Sequence, residues 1–381
     1  MAVDTKAKAL SRRGVDVVSF SVGEPDFDTP DIVKEAALEA MRRGRTKYTA
    51  VQGLPELREA VSEELERTLG LRYPPERIVV SNGAKQSIFN ALFALVGPGD
   101  EVILPAPYWV SYPEQIRLAG ATPVIVPTDP ARGFHLDLEA MEAAVSPRTR
   151  LILLNSPSNP AGTVLERSEL EAVAELALRH DLWILSDEIY RHLVFGVRHV
   201  SIAQLGEEVR ARTVLVDGVS KAYAMTGWRI GWAASESAEL VEAMTAVQSH
   251  LTSAPSTISQ WASVVALRQA AGATEAMAAE FDRRRRWMVE QLRHLPGFEL
   301  PVEPRGAFYV FPSIRGLIGR RVAGQEVRDG DHLAELLLEN AHVALVPGSG
   351  FGLPEYVRLS YATSLERMEE GFRRLAAALG V

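Results

Sequence analysis

Short apolar runs alternating with amphipathic stretches set the rhythm of this 381-residue chain. Runs rich in Val, Ile and Leu fall at residues 78–80, 102–104, 124–126, 151–154, 183–185, 214–216 and 230–233. Each is short enough for a strand and bounded by turn-forming residues, the pattern of strands buried on both faces. Most are separated by segments of helical length, such as residues 84–96 and a segment to about residue 180 opened by a Ser168-x-x-Glu171 capping box. Leu57, Val61, Leu65 and Leu69 recur every four residues and stop at Gly70, which predicts an amphipathic helix, and another is expected over residues 30–41. The alternation predicts an α/β fold, a seven-stranded, mostly parallel sheet with helices on both faces. No crossover helix fits between the sixth and seventh runs, so the seventh strand is expected to be antiparallel.

The two ends of the chain read differently. Residues 17–30 form a short strand and a loop rich in Gly, Asp and Pro. After residue 234 the pattern turns helical, and a long helix through 281–295 stops at Pro296-Gly297. Strands at 307–311, 344–346 and 356–361, a helix at 331–340 and a final helix from Ser364 complete a smaller α+β unit. The expected division is 30–280 for a large domain, with 1–29 and 281–381 forming a small one.

Composition narrows the function by exclusion. The net charge is −8, and no basic stretch is long enough to track a phosphate backbone, so nucleic acid is not an expected partner. The Arg283–Arg286 run lies in a helical pattern and reads as a solvated face or as contacts between domains. Zero cysteines remove disulfides, thiolate catalysis and Cys-ligated metals, and the eight histidines show no metal-binding spacing, so no metal is expected. The apolar runs are too short to cross a bilayer and the opening MAVDTKAKALSRRG lacks a signal-peptide core. No membrane association and a cytoplasmic location are therefore expected.

If the strands are parallel, the residues after each one gather along a single edge, where open α/β sheets bind ligands. The first edge segment, Ser81-Asn82-Gly83-Ala84-Lys85-Gln86, is a glycine turn entering a helix, a candidate phosphate cradle that ordinary strand-to-helix turns also resemble. The second ends in Tyr108-Trp109, either of which could stack on a planar ring or simply plug the sheet end. The fourth is NSPSNPAG, residues 155–162, where Asn159 could donate to a phenolate-type oxygen or serve turn chemistry. The fifth is Ser186-Asp187-Glu188-Ile189-Tyr190. Asp187 would be paired opposite a pyridinium nitrogen and Tyr190 could bond a ring oxygen, although Asp187 alone also fits a helix cap. The sixth opens SKAYAMTGWR, residues 220–229. There Lys221 could form a Schiff base while Ser220 and Arg229 grip an anion, and alone it would read as a lysine on a turn. Together these are the parts needed to hold pyridoxal phosphate and draw a carbanion's electrons into it.

SKAYAMTGWRIG, NSPSNPAG, SDEIY, KYTAVQGLPELREA, VGEPDFDTP and VRLSYATS resemble the class I aminotransferases of the fold type I pyridoxal phosphate (PLP)-dependent enzymes over nearly the whole chain. The resemblance is greatest to the bacterial aspartate aminotransferase subgroup that includes prephenate aminotransferases. It implies that Lys221 is the Schiff-base lysine and proton shuttle, that Asp187 pairs with the pyridine nitrogen, and that Tyr190 and Asn159 bond the ring oxygen. It implies that Trp109 stacks on the ring and that Gly83, Ala84, Ser220 and Arg229 hold the phosphate. Tyr48 would reach the phosphate of the partner subunit, giving a homodimer with shared active sites. Arg358 would bind the substrate α-carboxylate, assisted by Gly23 and Asn159, and Lys85 would contact a distal carboxylate.

The implied activity is exchange of an amino group between aspartate or glutamate and a 2-oxo acid by a ping-pong mechanism. Prephenate or aromatic amino acid transamination, and a C–S lyase reaction on the same fold, are the alternatives. The chain departs from the family pattern at Ser158 and Ala161, where relatives often have Asn and Thr, and at Ala84, the second glycine of their GGKQ motif. Met1 falls where relatives have a further stretch ending in a Pro-Ser-x-Thr-like segment that helps to hold the distal carboxylate, which leaves open whether the start is truncated or mis-assigned and weakens the case for a dicarboxylate.

Overall fold

The computed structural model describes residues 2–381; Met1, included in the expected small domain, lies outside them. The chain opens with α1 (Ala2–Arg12), β1 (Val18–Ser19), α2 (Asp31–Arg42) and α3 (Pro55–Leu69). Next come β2 (Ile78–Ser81), α4 (Ala84–Leu95), β3 (Glu101–Ala106), α5 (Tyr112–Leu118), β4 (Thr122–Pro127), α6 (Leu138–Ala143) and β5 (Thr149–Asn155). They are followed by α7 (Arg167–Arg179), β6 (Trp183–Asp187), α8 (Glu207–Ala211), β7 (Thr213–Gly218), α9 (Val219–Ala222) and β8 (Gly231–Ala234). Then α10 (Ala238–Leu251), α11 (Thr257–Gln269) and α12 (Ala271–His294) lead to β9 (Tyr309–Val310), β10 (Arg321–Val322) and β11 (Gln325–Glu326). The chain closes with α13 (Gly330–Asn340), β12 (Val343–Ala344), β13 (Val346–Pro347), β14 (Val357–Ser360) and α14 (Leu365–Leu379).

All seven expected runs lie in one seven-stranded sheet of order β2-β8-β7-β6-β5-β3-β4. Only β8 runs against the rest, antiparallel to both β2 and β7, as the missing crossover requires. The central strands β5 to β7 are almost wholly buried, whereas β4, at the sheet edge, leaves Thr122, Ile125 and Pro127 exposed. Apolar stripes on the helices cover both faces. On α3 the stripe is Leu57, Val61, Leu65 and Leu69, opened by Pro55 at the first turn and ended by Gly70 in the left-handed conformation. Each fully buried side chain of this size contributes roughly 1.5–3 kcal/mol.

Three local expectations are corrected. The capping box of α7 is formed by Glu166 and Glu169 rather than by Ser168 and Glu171. Glu169 is drawn to that position because it also accepts from the backbone of Leu136 and bonds His135, while Glu171 pairs with Arg167 on the exposed face. The strand expected at 344–346 divides into β12 and β13, because its two halves pair in different sheets. One half joins β1 in parallel and the other joins β14 antiparallel. The long helix starts ten residues earlier than expected.

Of the arginine run, Arg284 is buried and pairs with Asp26 at 2.7 Å and Glu280 at 2.8 Å, tying the loop after β1 to α12, while Arg286 stays on the solvated face. The amphipathic α1 was not anticipated. It docks on α13 through buried Ala7 and through Lys6, which pairs with Glu335 and Glu339. Among the described residues no helix is long and apolar enough to cross a membrane.

Candidate active site

From β3 the chain steps outward to β4, then returns through β5, β6 and β7 in the opposite direction. Loops leaving β3 and β5 toward opposite sides open a crevice at the carboxyl ends of the strands. A cavity of about 620 Å³ lies there, closed on one side by the loop after β1 and by α1. Every residue to which the family resemblance gives a role lines it except Gly83 and Tyr48.

The cavity floor is acidic. Asp187 ends β6, paired in register with Asn155 of β5 and Val216 of β7, and is 4% exposed. Burial pushes its carboxyl up to about 6, opposed by a hydrogen bond from Tyr112 at 2.7 Å and one from the backbone of Ile189 at 3.1 Å. Lys221 follows β7 and donates from Nζ to the carbonyl of Gly23. Burial brings its amine down to about 8, with Arg358 and Arg229 pushing the same way and Glu24 opposing. An amine with so low a value is neutral in a useful fraction near neutral pH, the condition for nucleophilic attack on an aldehyde.

One end of the cavity is a phosphate-sized cradle. Gly83, at φ +84°, precedes α4, whose first N–H groups have no acceptor within the helix. A Cβ on Gly83 would collide with the Arg229 guanidinium, and one on Gly231 with the backbone nitrogen of Ala84, so both glycines permit this close approach. Arg229 donates to the carbonyls of Thr226 and Asn82, and no carboxylate among the described residues pairs with it. The Ser220 hydroxyl completes the lining.

At the other end Arg358, from β14, is 6% exposed. It donates to Asn159 Oδ1 at 2.9 Å and to the carbonyl of Ser21 at 3.1 Å, and its guanidinium lies 4.3 Å from the Tyr309 ring centroid. Its Nε is buried without a partner. A buried cation paired only with neutral groups is costly and fits a site that receives an anion. Because Asn159 Oδ1 is taken by Arg358, its amide N–H₂ is left to donate.

Between these ends Trp109 offers its face, with Lys85 Nζ 4.7 Å from the ring centroid. Burial, then repulsion from Arg229, lowers the Lys85 amine. Tyr108 turns instead toward Gly352 and a separate small cavity, so of the two aromatics Trp109 faces the crevice. Tyr190 shares a hydrogen bond of 2.9 Å with Tyr309, and burial pushes both phenols up. Tyr48 lies outside, 93% exposed. Its loop is pinned from beneath by Thr257 to the Lys47 carbonyl at 2.6 Å and by Gln248 to the Val51 carbonyl at 2.7 Å.

Several lining residues were missed in the sequence: Tyr112, Tyr309, Ser21, Glu24 and Phe351, with Val3, Thr5 and Lys8 of α1. For Tyr309 the only signal was a hydroxyl inside an otherwise apolar run; for Tyr112 it was a position one helical turn beyond Trp109.

Lys85, Lys221, Arg229 and Arg358 face the cavity against Glu24 and Asp187, an excess of positive charge suited to a polyanion. The cradle, the flat indole, the buried acid and the amine fit the phosphate, ring, ring nitrogen and aldehyde of pyridoxal phosphate. The buried Arg358 guanidinium, which no carboxylate among the described residues pairs with, fits a substrate carboxylate.

The chain matches the family Aminotransferase class I and II over residues 15–375. It is 46% identical to an aspartate aminotransferase of Rhizobium meliloti (strain 1021), covering 99% of this chain and 92% of that protein. It is 48% identical to an aspartate/prephenate aminotransferase of Cereibacter sphaeroides, covering 99% of this chain and 94% of that one. Among solved structures, the Thermus thermophilus aspartate aminotransferase with maleate superposes with a TM-score of 0.93 at 45% identity, covering 99% of this chain and 95% of that one.

Proposed function

Since the chain belongs to the class I and II aminotransferases, we propose that it moves the amino group of aspartate to 2-oxoglutarate, yielding oxaloacetate and glutamate, with glutamate serving as donor in reverse. Pyridoxal phosphate supplies an aldehyde that carries the amino group and a ring that accepts the electron pair released at the substrate α-carbon. The observation that carries the reading is Arg358, a buried guanidinium held by Asn159 and Ser21 with one nitrogen unsatisfied, across the cavity from the amine of Lys221.

Arg358 grips the α-carboxylate and fixes the α-carbon near Lys221. Gly23 and Asn159 line the same end. Lys221 would hold the resting cofactor, and its Nζ, when free, would take the α-proton and deliver it within the cavity. Asp187 would keep the ring nitrogen protonated, and the Asn159 amide and Tyr190 phenol would bond the ring oxygen. Trp109 would cover the ring face, and Gly83, Ala84, Ser220 and Arg229 would hold the phosphate. Lys85 receives the distal carboxylate, a role in keeping with the Thermus relative that was solved with maleate, a dicarboxylate.

The assembly is a homodimer in which Tyr48 reaches the partner's phosphate. Support comes from an exposed tyrosine on a pinned loop and from the exposed apolar residues Met41, Phe93 and Leu251. Residues 30–280 act as the cofactor-binding domain, and residues 1–29 with 281–381 as the small one. A cytoplasmic location completes the proposal.

A second reading, prephenate as amino acceptor, is favoured by the size of the cavity and by its apolar Val3, Val22 and Val110 lining. The test is steady-state turnover of cofactor-loaded protein with aspartate, glutamate, phenylalanine and prephenate. Aspartate with 2-oxoglutarate should give glutamate only when both are present. Repeated turnover of aspartate without an acceptor, beyond one equivalent per site, would instead mark a lyase and overturn the proposal.

A further inference from the structure

One side chain in the cavity wall has no part in the roles assigned above. Tyr112, the first residue of α5, is 1% exposed, and its phenol donates to Asp187 Oδ2 at 2.7 Å. The other carboxylate oxygen accepts from the backbone N–H of Ile189 at 3.1 Å. The Tyr112 ring also meets Trp109 edge to face, with centroids 5.3 Å apart at 78°. One residue therefore touches both the acid at the cavity floor and the indole beside it.

Resting on the reading that Asp187 meets the cofactor's ring nitrogen, we propose that Tyr112 is a positioning residue whose O–H holds Asp187 as a fixed, ionised acceptor for that nitrogen. Burial opposes the charge on Asp187, and each donor to the carboxylate restores some of it. Of the charged or titratable groups around it, Lys221 favours the ionised form and Glu188 opposes it, while Tyr190 is a neutral phenol. Burial, then the Asp187 charge, pushes the Tyr112 phenol far up, so it stays a donor throughout the working range. With Oδ2 occupied and Oδ1 turned to Ile189, the carboxylate cannot rotate without losing a bond.

The test is Tyr112→Phe, which keeps the ring packed on Trp109 and removes only the O–H. The apo-protein should bind pyridoxal phosphate about 10-fold more weakly, read by equilibrium dialysis, as expected for losing one hydrogen bond to a charged group. The acid limb of kcat should move to higher pH, because a carboxyl with one donor fewer takes up its proton earlier. In an Asp187→Asn background the same substitution should add no further loss of affinity.

Unchanged affinity with an unmoved acid limb overturns the proposal, as does an equal loss in the Asp187→Asn background, which would assign Tyr112 to packing alone. Full cofactor affinity in Asp187→Asn by itself would overturn the underlying reading of Asp187 as well. If Tyr112→Phe does not fold, fluorotyrosine at position 112, a stronger donor, should move the acid limb to lower pH; no movement refutes the proposal.

Discussion

Arg358 on β14 and Asn159 in the loop after β5 are joined by a 2.9 Å hydrogen bond although 199 residues separate them in the chain. The bond fixes the guanidinium in place and, by occupying the carbonyl oxygen of Asn159, turns its amide donor toward the cavity. Replacing Arg358 with Lys keeps the charge but loses the planar fork. Arg358→Lys should lower kcat/KM for aspartate by roughly 30-fold or more, from the roughly 2–5 kcal/mol at stake when one partner of a buried charged pair is lost. Cofactor affinity should stay within about threefold of the wild type. Steady-state kinetics and a cofactor titration on the same variant separate the two effects.

The amine of Lys221 is set for reaction by its surroundings. Burial lowers it to about 8 from an ordinary 10.5, so the neutral form dominates above pH 8 rather than only above 10.5. The rate at which apo-protein takes up pyridoxal phosphate should therefore rise between pH 7 and pH 9 and level off, with a midpoint near 8. Stopped-flow absorbance across this range checks it, and a rate still climbing beyond pH 10 would contradict the assignment.

Tyr48 can serve a neighbouring site only if two copies associate. Lys221→Ala and Tyr48→Phe, each impaired alone, should together form hybrid dimers with one complete site after unfolding and remixing. At a 1:1 ratio about half of all dimers should then be hybrids, each carrying one wild-type site. No recovery on mixing would place Tyr48 outside the catalytic unit.

Beneath the site Arg191 bonds Glu64 and, at 2.6 Å, Asp217, all three buried. Burial alone would raise Glu64, but Arg191 and then His192 hold it down at about 2. Asp217, with burial outweighing its pairing, is pushed up to about 6. Arg191→Met should cost about 3–5 kcal/mol at neutral pH, since it strands two buried carboxylates. In the wild type the Glu64 contribution is present above its ordinary value of 4.5 and fades as pH falls toward about 2. Protonation of Asp217 below about 6 acts in the opposite sense. Urea unfolding of both proteins at pH 7 and pH 4 tests the magnitude and the narrowing gap.

Much of this arrangement was legible in the sequence because it depends on local signals. Seven β-rich runs announced the sheet, and the residues just past them, from Gly83 to Arg229, were bound to share an edge once the strands ran parallel. What the sequence hid depends on long-range contact. Tyr309 reaches Tyr190 from a strand 119 residues away, and only the docking of β9 beside β14 aims it at the cavity. Tyr112 looked like any aromatic in a short helix until β3 and β6 placed it against Asp187. α1 packs only Ala7, Val3 and Leu10 among its described residues against Leu338 and Ala344 and adds the Lys6 ion pairs to α13, so its pattern gave little notice of a helix that helps to close the cavity.

The central claim is that Lys221, among all the lysines of the chain, is the residue that bonds covalently to the cofactor. Reducing the cofactor-loaded protein with borohydride and mapping the modified peptide by mass spectrometry tests it directly. The account predicts one phosphopyridoxyl group per chain, on Lys221. A label on Lys85, Lys8 or any other lysine, or no label at all, would contradict it.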